Sequence, residues 1–282
     1  MPQQSQKAYI FGAGSVGMSI LPAVLAQYEV IAFLDSDKTK QGRDFEGYPV
    51  LHPAEIVQTD GHKIIVASLA GVESITEQLI RLGAARENIV TYYVDFPIKS
   101  RITFLEGLGK IFHEQGIGGC VAEGGVFLGE FAKEINRVFP ASKFYLFDTF
   151  SGFDPRDLPT ERENKFSRLD AGHFNITSVE TVRSKLPHPE NCVFKKGFFP
   201  ETTDGIDESF CFVNLDFDLY QPTLAGLEFF YPRMVKGGAI LIHDYFAETF
   251  KGVKAAVHYF SAKTAQAQFS PIGDGSSVLI RC

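Results

Sequence analysis

The sequence has no tryptophan and only four cysteines among its 282 residues. Zinc modules and disulfide frameworks place cysteines at short, regular spacings, and no C-x-x-C pair occurs here. The sequence therefore predicts reduced and mostly buried thiols at the four positions, which are Cys120, Cys192, Cys211 and Cys282.

A long apolar run is also missing, because no stretch approaches the roughly 20 consecutive apolar residues that cross a bilayer. The first residues, MPQQSQKAYIFGAG, contain one lysine and lack the apolar core and small-residue cleavage site of a secretory signal. We expect a soluble, cytoplasmic protein that has no membrane partner.

An excess of positive charge is the third absence. The formal net charge is −7, whereas proteins that hold nucleic acid present Lys and Arg to the phosphate backbone. Nucleic acid is therefore not expected as a partner. The sequence leaves the oligomeric state open, a homo-oligomer included.

What is present is an alternation of strand-like and helix-like segments, which predicts α/β folding with parallel sheets. The length accommodates two Rossmann-like units, and we place them at residues 1–97 and 98–282. A helical pattern after Pro97, over residues 102–115, predicts a linking helix within 98–117. The first unit is predicted to contain strands at 8–11, 30–34, 63–67 and 88–93, and helices at 18–26 and 74–82.

The second unit repeats the alternation but ends differently. A terminal hairpin is expected around Gly273-Asp274-Gly275, between strands at 268–271 and 277–281. Residues 149–191, which we call the connecting segment, are polar and long, as irregular lids and binding loops often are. Further strands are predicted at 119–123, 144–148, 192–195, 209–215 and 239–243, with helices at 129–138 and from about 220.

Two glycine-rich turns lie between a strand and a helix. In the first, GAGSVG, the glycines Gly12, Gly14 and Gly17 precede Asp35 at the spacing of a dinucleotide-binding pattern. Small residues let a pyrophosphate approach the helix N-terminus, and the carboxylate can accept from ribose hydroxyls. The first unit is thus a candidate site for a nucleotide or NAD, with a scaffold role as the alternative. Through residues 33–56 it resembles the short Rossmann modules at the front of nucleotide-sugar dehydratases and sugar acetyltransferases.

The second turn has the E-x-G-x-x-x-G spacing with which methyltransferases receive the methionine end of S-adenosylmethionine. One strand later, an acid stands where a carboxylate can accept from both ribose hydroxyls of that cofactor. The candidate cofactor-binding residues are Glu123, Gly125, Gly129, Asp148, Thr149 and Phe150.

Further motifs follow in order along the chain. They are Gly197 to Thr202, Asp216 to Thr223, Tyr231-Pro232, Gly237-Gly238 and His243-Asp244-Tyr245. With the E-x-G turn and the F-D-T-F-S-G sequence at 147–152, this series resembles the TylF/MycF-type macrocin O-methyltransferases over about residues 118–262. The resemblance implies a class I methyltransferase sheet with an antiparallel terminal hairpin, S-adenosylmethionine as methyl donor, and metal-assisted methylation of a sugar hydroxyl.

The resemblance also implies a divalent metal, magnesium or manganese, bound by Asp216, His243 and Asp244. Two positions depart from the family pattern: His243 stands where the family usually has the first Asp of an Asp-Asp pair, and Pro222 replaces a Ser. Magnesium prefers oxygen ligands, whereas imidazole suits softer divalent ions. Asp216 and His243 are also the candidate catalytic residues, since either could accept the proton of a bound hydroxyl.

The sequence predicts secondary roles for two other side chains. His173, in the connecting segment, is a second candidate base. Asp218 is expected to stabilise the N-terminus of the helix that begins near Tyr220 rather than to take part in catalysis.

Together these features predict an S-adenosylmethionine-dependent O-methyltransferase acting on a hydroxyl of a sugar, a glycan or another small-molecule natural-product acceptor. One alternative is a nucleotide-sugar oxidoreductase or dehydratase operating from the first unit, which lacks the Tyr-x-x-x-Lys pair that such enzymes often use. Another is a non-catalytic nucleotide-sensing protein. The presence of Glu123, Gly125, Asp148, Asp216 and Asp244 argues against a decayed second unit.

Overall fold

A computed structural model describes residues 6–56, 61–68, 71–264 and 267–282. The chain forms two compact units, Met1–Ile98 and Lys99–Cys282. Among the described residues, no helix is both long enough and apolar enough to cross a membrane.

The first unit is built on a six-stranded sheet. Its elements are β1 (Gln6–Phe11), α1 (Ser15–Leu25), β2 (Tyr28–Leu34), β3 (Asp44–Phe45), β4 (Tyr48–Leu51), β5 (Lys63–Val66), α2 (Val72–Arg81) and β6 (Ile89–Val90), with 3-10 turns at Pro53–Ile56 and Arg86–Asn88. The strand order is β3-β4-β2-β1-β5-β6. All neighbours pair in parallel except β3 and β4, which form a small antiparallel hairpin that the sequence did not predict.

The central strand β1 shows why this sheet needs two apolar faces. Ala8 and Ile10 are buried in one core cluster, and Tyr9 and Phe11 in another. Helices or loops therefore cover both faces, as is usual for a parallel sheet.

Helix α3 (Tyr92–Gln115) begins ten residues before the predicted start of its pattern, and the predicted strand at 88–93 is reduced to β6. The prediction that Pro97 precedes the helix is wrong. Backbone N–H groups of Val94 and Asp95 donate to the Thr91 carbonyl, and the Thr91 hydroxyl donates to Asp95 at 2.7 Å. These bonds start the helix at Thr91, and Pro97 removes only one later backbone donor.

The second unit contains a seven-stranded sheet. After α3 its elements are β7 (Cys120–Gly124), α4 (Glu130–Val138), β8 (Phe144–Asp148), α5 (Leu158–Glu163), α6 (Val179–Arg183), β9 (Cys192–Lys196), β10 (Phe210–Leu215), α7 (Tyr220–Phe230), β11 (Met234–Ile242), α8 (Lys251–Lys263), β12 (Phe269–Pro271) and β13 (Val278–Arg281), with 3-10 turns at Pro189–Asn191, Glu201–Thr203 and Tyr231–Arg233. The strand order is β12-β13-β11-β10-β7-β8-β9.

Strand direction in this sheet matches the fold class predicted from the sequence. Strands β7 to β11 pair in parallel, whereas β13 is antiparallel to both β11 and β12. The α/β class and the antiparallel terminal hairpin are therefore confirmed. Every residue of β10 is buried, so this strand lies at the centre of the core and fixes the position of the residue that follows it, Asp216.

The connecting segment is less irregular than predicted, because α5 and α6 lie within it. Pro159 stands in the first turn of α5, where a missing N–H costs nothing. The Ser178 hydroxyl caps α6 by accepting from the Thr181 N–H at 3.1 Å. Both start signals are readable in the sequence.

Candidate functional site

The ends of β10 and β11 carry a cluster of titratable side chains. These strands pair in parallel up to Leu215 and Ile242, and the His243 N–H donates to the Leu215 carbonyl at 2.9 Å. The register therefore places Asp216 beside His243 and Asp244. His243 Nδ1 lies 2.8 Å from Asp216 Oδ1 and 3.2 Å from Asp244 Oδ2. The structure thus brings together the three residues predicted to bind a metal.

The surroundings of His243 favour its protonated ring. Burial and the nearby Arg101 favour the neutral ring, but Asp216 and Asp244 outweigh them and raise the pKa of His243 to about 9. The Nδ1–H bond then points at two carboxylates. Arg101 adds a second cation, since its Nη1 donates to Asp216 Oδ2 at 3.2 Å.

Asp218 has a different role from the one expected. Desolvation, followed by repulsion from Asp244 and Asp216, raises its pKa well above the usual range. The Asp244 carboxyl shares a hydrogen bond with it; although burial opposes ionisation, His243 and Asp218 hold the pKa of Asp244 well below its usual range. Asp218 is therefore the carboxyl of this pair that is harder to ionise, and Ser276 Oγ donates to Asp244 Oδ1 at 3.1 Å.

The N-terminus of α7, which Asp218 was expected to stabilise, is bonded by another residue. The Tyr220 N–H donates to Glu161 Oε1 at 2.7 Å, and no side chain of the Leu219 N-cap takes part. Glu161 belongs to α5, so the connecting segment supplies this contact. The expectation that Asp218 stabilises the N-terminus of α7 is wrong, because the buried Glu161 carboxyl accepts the N–H of the first helical residue instead.

A narrow cleft adjoins the cluster. It is bordered by Gly125 and Asp148 at the ends of β7 and β8, by Asp216 and Asp218 after β10, and by His173 from the connecting segment. Candidate residues for the methyl donor and for the metal therefore border the same cleft.

Asp148 organises the loop after β7. Its Oδ2 accepts from the N–H groups of Val126 and Phe127 at 2.7 and 2.9 Å, and its Oδ1 accepts from Phe150 N–H at 2.7 Å. Each carboxylate oxygen can accept more than one hydrogen bond. Ribose binding by Asp148 stays a prediction, and it would share the carboxylate with these amides.

Gly125 is required by close contact between backbones. Its φ is +80°, and a Cβ at this position would lie 1.9 Å from the Asp216 carbonyl oxygen. Only glycine lets the turn after β7 approach the end of β10 this closely.

The other predicted cofactor residues lie in three different environments. Thr149 borders the cleft, and its hydroxyl donates to the Gly152 carbonyl at 2.6 Å. Phe150 is 5% exposed and packs in the core, and Gly129 begins α4 against Val182. These two residues shape the loop rather than face the cleft.

Glu123 and Asn214 form a buried polar pair on adjacent strands. They stand opposite each other in the β7–β10 register, and Asn214 Nδ2 donates to Glu123 Oε1 at 2.9 Å. Burial, reinforced by repulsion from Asp216, raises the pKa of Glu123 well above its usual range. Among the described residues, Glu123 Oε2 and Asn214 Oδ1 have no hydrogen-bond partner.

Two titratable groups of the connecting segment reach the cleft. His173 stacks on Phe153 with ring centroids 5.9 Å apart, and burial lowers its pKa. Asp157 is 6% exposed, and burial together with the nearby Asp154 raises its pKa to about 7. The sequence pointed to His173 but gave no reason to select Asp157.

In the first unit, the predicted nucleotide-site residues also come together. A Cβ on Gly17 would lie 2.1 Å from the Gly12 carbonyl oxygen, so the turn packs tightly on α1, whose N-cap is Gly14. Asp35 Oδ2 accepts from the Ala13 N–H at 3.1 Å and from Lys40 Nζ at 2.9 Å. A ligand hydroxyl would therefore share this carboxylate with a lysine.

Sequence reasoning missed Arg101, Asp157, Glu161 and Asn214. Asn214 had a usable signal, because an amide is unusual in an otherwise apolar central strand. Arg101 and Glu161 had none, since their partners lie 115 and 59 residues away in sequence.

Comparison with solved structures supports the fold. The O-methyltransferase NovP matches with 20% identity and a TM-score of 0.51, covering 64% of this chain and 79% of its own. The calicheamicin methyltransferase CalS11 matches with 18% identity and a TM-score of 0.53, covering 74% of this chain and 91% of its own. A comparison with curated protein sequences gives no match.

Two protein families match the chain in sequence. Residues 4–90 match the family described as C2185-like, N-terminal. Residues 99–278 match the macrocin-O-methyltransferase (TylF) family. Because this second match extends over more than half of the chain, the protein belongs to the macrocin-O-methyltransferase (TylF) family and is an S-adenosylmethionine-dependent O-methyltransferase.

Proposed function

We propose that this enzyme methylates a hydroxyl of a sugar, a glycan or another small-molecule natural product, with a divalent metal held by Asp216, His243 and Asp244. The observation that carries the proposal is that Asp216, one member of this cluster, borders the same cleft as Gly125 and Asp148. An acceptor hydroxyl beside the cluster would face the methyl donor.

The donor set fits a metal ion. Two ligands bonded at roughly 2.1 Å and at right angles to one metal lie about 3 Å apart. The distances from His243 Nδ1 to the two carboxylates, 2.8 and 3.2 Å, are close to that separation. One nitrogen with two carboxylates suits manganese, iron or zinc better than magnesium.

His243 must change its protonation state to act as a ligand. Only the neutral ring has a lone pair to donate, so binding at Nδ1 would release the proton shared with the carboxylates. A bound divalent ion would lower the pKa of a neighbouring hydroxyl. Asp216 is the group of this chain that we propose to take the hydroxyl proton as the oxygen attacks the methyl group. His243 is the alternative base only where it is not a metal ligand, because a neutral ring bound through Nδ1 carries its hydrogen on Nε2.

The test begins with the methyl donor alone. Titration calorimetry should detect binding of S-adenosylhomocysteine, and the absence of any binding would contradict the proposal. Purified enzyme, isotopically labelled S-adenosylmethionine and a panel of nucleotide sugars and glycosides should then yield a methylated product by mass spectrometry.

Metal dependence is tested separately. Treatment with EDTA should abolish transfer, and added Mn²⁺ should restore it. Full activity after exhaustive chelation would remove the metal from the proposal and leave the methyl transfer in place.

For the first unit we propose a nucleotide ligand at Gly12, Gly14, Gly17 and Asp35. Support comes from the contact of Asp35 Oδ2 with the Ala13 N–H in the glycine turn. Calorimetry with NAD and with nucleotide sugars should detect binding that Asp35→Ala weakens; no binding of either class would favour the scaffold role.

No specific observation favours redox chemistry in the first unit. The only Tyr-x-x-x-Lys spacing in the sequence joins Tyr259 and Lys263, which lie on α8 of the second unit. The methyltransferase proposal is therefore the one that the contacts support.

A further inference from the structure

Asp157 stands at the N-cap of α5, and its carboxyl is not used by the helix. The residue is 6% exposed and borders the cleft. An aspartate at an N-cap usually accepts from a backbone N–H of the first turn, but the Asp157 side chain makes no such bond. Among the described residues its carboxyl has no other hydrogen bond and no ion pair. A buried carboxyl without a partner costs free energy, so such groups usually meet a ligand or a water molecule.

The charged groups that act on Asp157 are already engaged elsewhere. Arg156 donates to both oxygens of Asp154, from Nε at 2.9 Å and from Nη2 at 3.0 Å, and its Nη1 donates to Glu201 at 3.0 Å. Glu161 accepts from the backbone at the start of α7. Among the described residues of this group, Asp157 is therefore the one whose side chain has no partner.

The packing of α5 places Asp157 near the loop that follows β10. Glu161 is bonded to Tyr220, which lies four residues beyond Asp216. Asp157 precedes Glu161 by four residues, and residues at this spacing lie on the same side of a helix. Leu219, next to Tyr220, borders the cleft as Asp157 does. Asp157 therefore faces the cleft from beside the loop after Asp216, and not from the glycine turn predicted to receive the methyl donor.

The charge of the cleft indicates what Asp157 can bind. No Lys or Arg is among the described residues that border it. The titratable groups there are His173, whose pKa is lowered by burial, and the carboxyls of Asp148, Asp154, Asp157, Asp216 and Asp218. A phosphate beside Asp157 would meet like charges, which oppose binding.

A hydroxyl group fits the Asp157 carboxyl in either protonation state. Burial, followed by repulsion from Asp154, raises the pKa of Asp157 to about 7, so both forms are present near neutral pH. The ionised carboxyl accepts a hydrogen bond from a hydroxyl, and the protonated carboxyl donates one to it. A sugar hydroxyl is therefore the ligand group that the carboxyl and its surroundings favour.

We propose that Asp157 binds a hydroxyl of the acceptor sugar other than the one that is methylated. This inference rests on the proposed function and deepens it, because it assigns an acceptor contact to the connecting segment. Asp157 and the metal cluster at Asp216 would hold two different hydroxyls of one sugar. A sugar held at two points presents one oxygen to the methyl donor, so the Asp157 contact selects which hydroxyl is methylated.

The test separates binding of the acceptor from binding of the methyl donor. The probe is whichever nucleotide sugar or glycoside of the panel the wild type methylates fastest. In Asp157→Ala, kcat/KM for this acceptor should fall by about 10- to 100-fold, the range expected for a lost hydrogen bond to a buried carboxyl. Affinity for S-adenosylhomocysteine, measured by calorimetry, should change by less than about 3-fold.

Deoxy analogues of the probe, each lacking one hydroxyl, identify the group that Asp157 binds. Loss of that hydroxyl should lower kcat/KM of the wild type by about 10-fold. The same analogue should cause little further loss in Asp157→Ala, because the contact is already absent. At every other position the two enzymes should respond alike. If Asp157→Ala does not fold, Asp157→Asn, which retains the shape of the side chain, provides the same comparison with a smaller loss.

Asp170→Ala is the matched control. Asp170 lies in the same connecting segment, its side chain is 85% exposed, and it pairs with Arg162 at 2.9 Å. Both kcat/KM for the probe and affinity for S-adenosylhomocysteine should be unchanged in this variant.

The outcomes separate the inference from the proposed function. Unchanged kcat/KM in Asp157→Ala, or the same response of both enzymes to every deoxy analogue, would mean that Asp157 makes no acceptor contact. An equally large loss of affinity for S-adenosylhomocysteine would mean that it contacts the methyl donor instead. Each of these results overturns the inference and leaves the proposed function in place. If the wild type methylates no acceptor of the panel, the proposed function fails and the inference fails with it.

Discussion

The two units share one arrangement, a strand, a glycine turn and a helix, with an acid at the end of the next strand. In the first unit that acid, Asp35, is paired with Lys40 at 2.9 Å. In the second unit Asp148 is bonded to three backbone N–H groups. Both carboxylates therefore accept from backbone N–H groups, and Asp35 has a lysine partner in addition.

The larger difference lies at the other strands. After β10 and β11 the second unit presents Asp216, His243 and Asp244, whereas β5 of the first unit is followed by Ala67 and Ser68. A glycine turn allows a ligand to approach the backbone closely at the carboxyl edge of the sheet. The acids on the neighbouring strands decide whether that edge also has groups suited to catalysis.

Removal of Asp216 should have the largest effect. We expect Asp216→Ala to lower methyl transfer to the acceptor found in the screen by more than about 1,000-fold, and Mn²⁺ affinity, followed by electron paramagnetic resonance, by about 100-fold. Affinity for S-adenosylhomocysteine should stay within about 3-fold. Asp37→Asn, at an exposed carboxylate of the first unit, is the control; a fully active Asp216→Ala enzyme would contradict the site assignment.

The two glycine turns can be compared directly. In Gly125→Ala the new Cβ would collide with the Asp216 carbonyl, so affinity for S-adenosylhomocysteine should fall by at least about 10-fold. In Gly17→Ala the new Cβ would collide with the Gly12 carbonyl. Thermal unfolding should show that the free energy of unfolding falls by roughly 2 to 4 kcal/mol, and affinity for S-adenosylhomocysteine should not change. If both variants lost cofactor binding equally, the division of roles between the units would be wrong.

Restoration of the family's Asp-Asp pair should change metal preference. His243→Asp replaces the nitrogen ligand with a carboxylate, so the ratio of Mg²⁺ to Mn²⁺ affinity should rise by about 10-fold. Competition between the two ions, followed by electron paramagnetic resonance of Mn²⁺, measures it. An unchanged ratio would mean that His243 is not a ligand.

Asp157 should produce the smallest effect, a pH dependence of stability. Its pKa is about 7 in the folded protein and near 3.9 when unfolded, so the folded state binds the extra proton and stability falls as pH rises from about 4 to 7. Between about pH 5 and pH 8, the free energy of unfolding measured in urea should fall by roughly 2 kcal/mol more in the wild type than in Asp157→Asn. Asp170→Asn, at an exposed position, should follow the wild type; parallel curves for Asp157→Asn and the wild type would contradict the assignment.

The sequence predicted those features that follow from strand register. Parallel strands end at one edge, so acids placed directly after β10 and β11 had to meet there, and the Gly-Asp-Gly turn predicted the terminal hairpin. The early start of α3 was missed because the Thr91 contacts outweighed the signal from Pro97.

What the sequence could not predict depends on contacts between distant segments. The partner of Arg101 and the bond from Tyr220 to Glu161 are decided by how α3 and α5 pack, and no local pattern records that packing. The prediction for Asp218 was wrong for the same reason, because its partner Asp244 follows a different strand.

The bond from the Tyr220 N–H to Glu161 has a consequence for experiments in solution. If α5 moves away from α7, the Tyr220 amide loses its acceptor and becomes open to exchange with water. Its hydrogen–deuterium exchange rate would therefore report the opening of the connecting segment from a position four residues beyond Asp216. One amide signal would follow the access of ligands to the cleft without any added label.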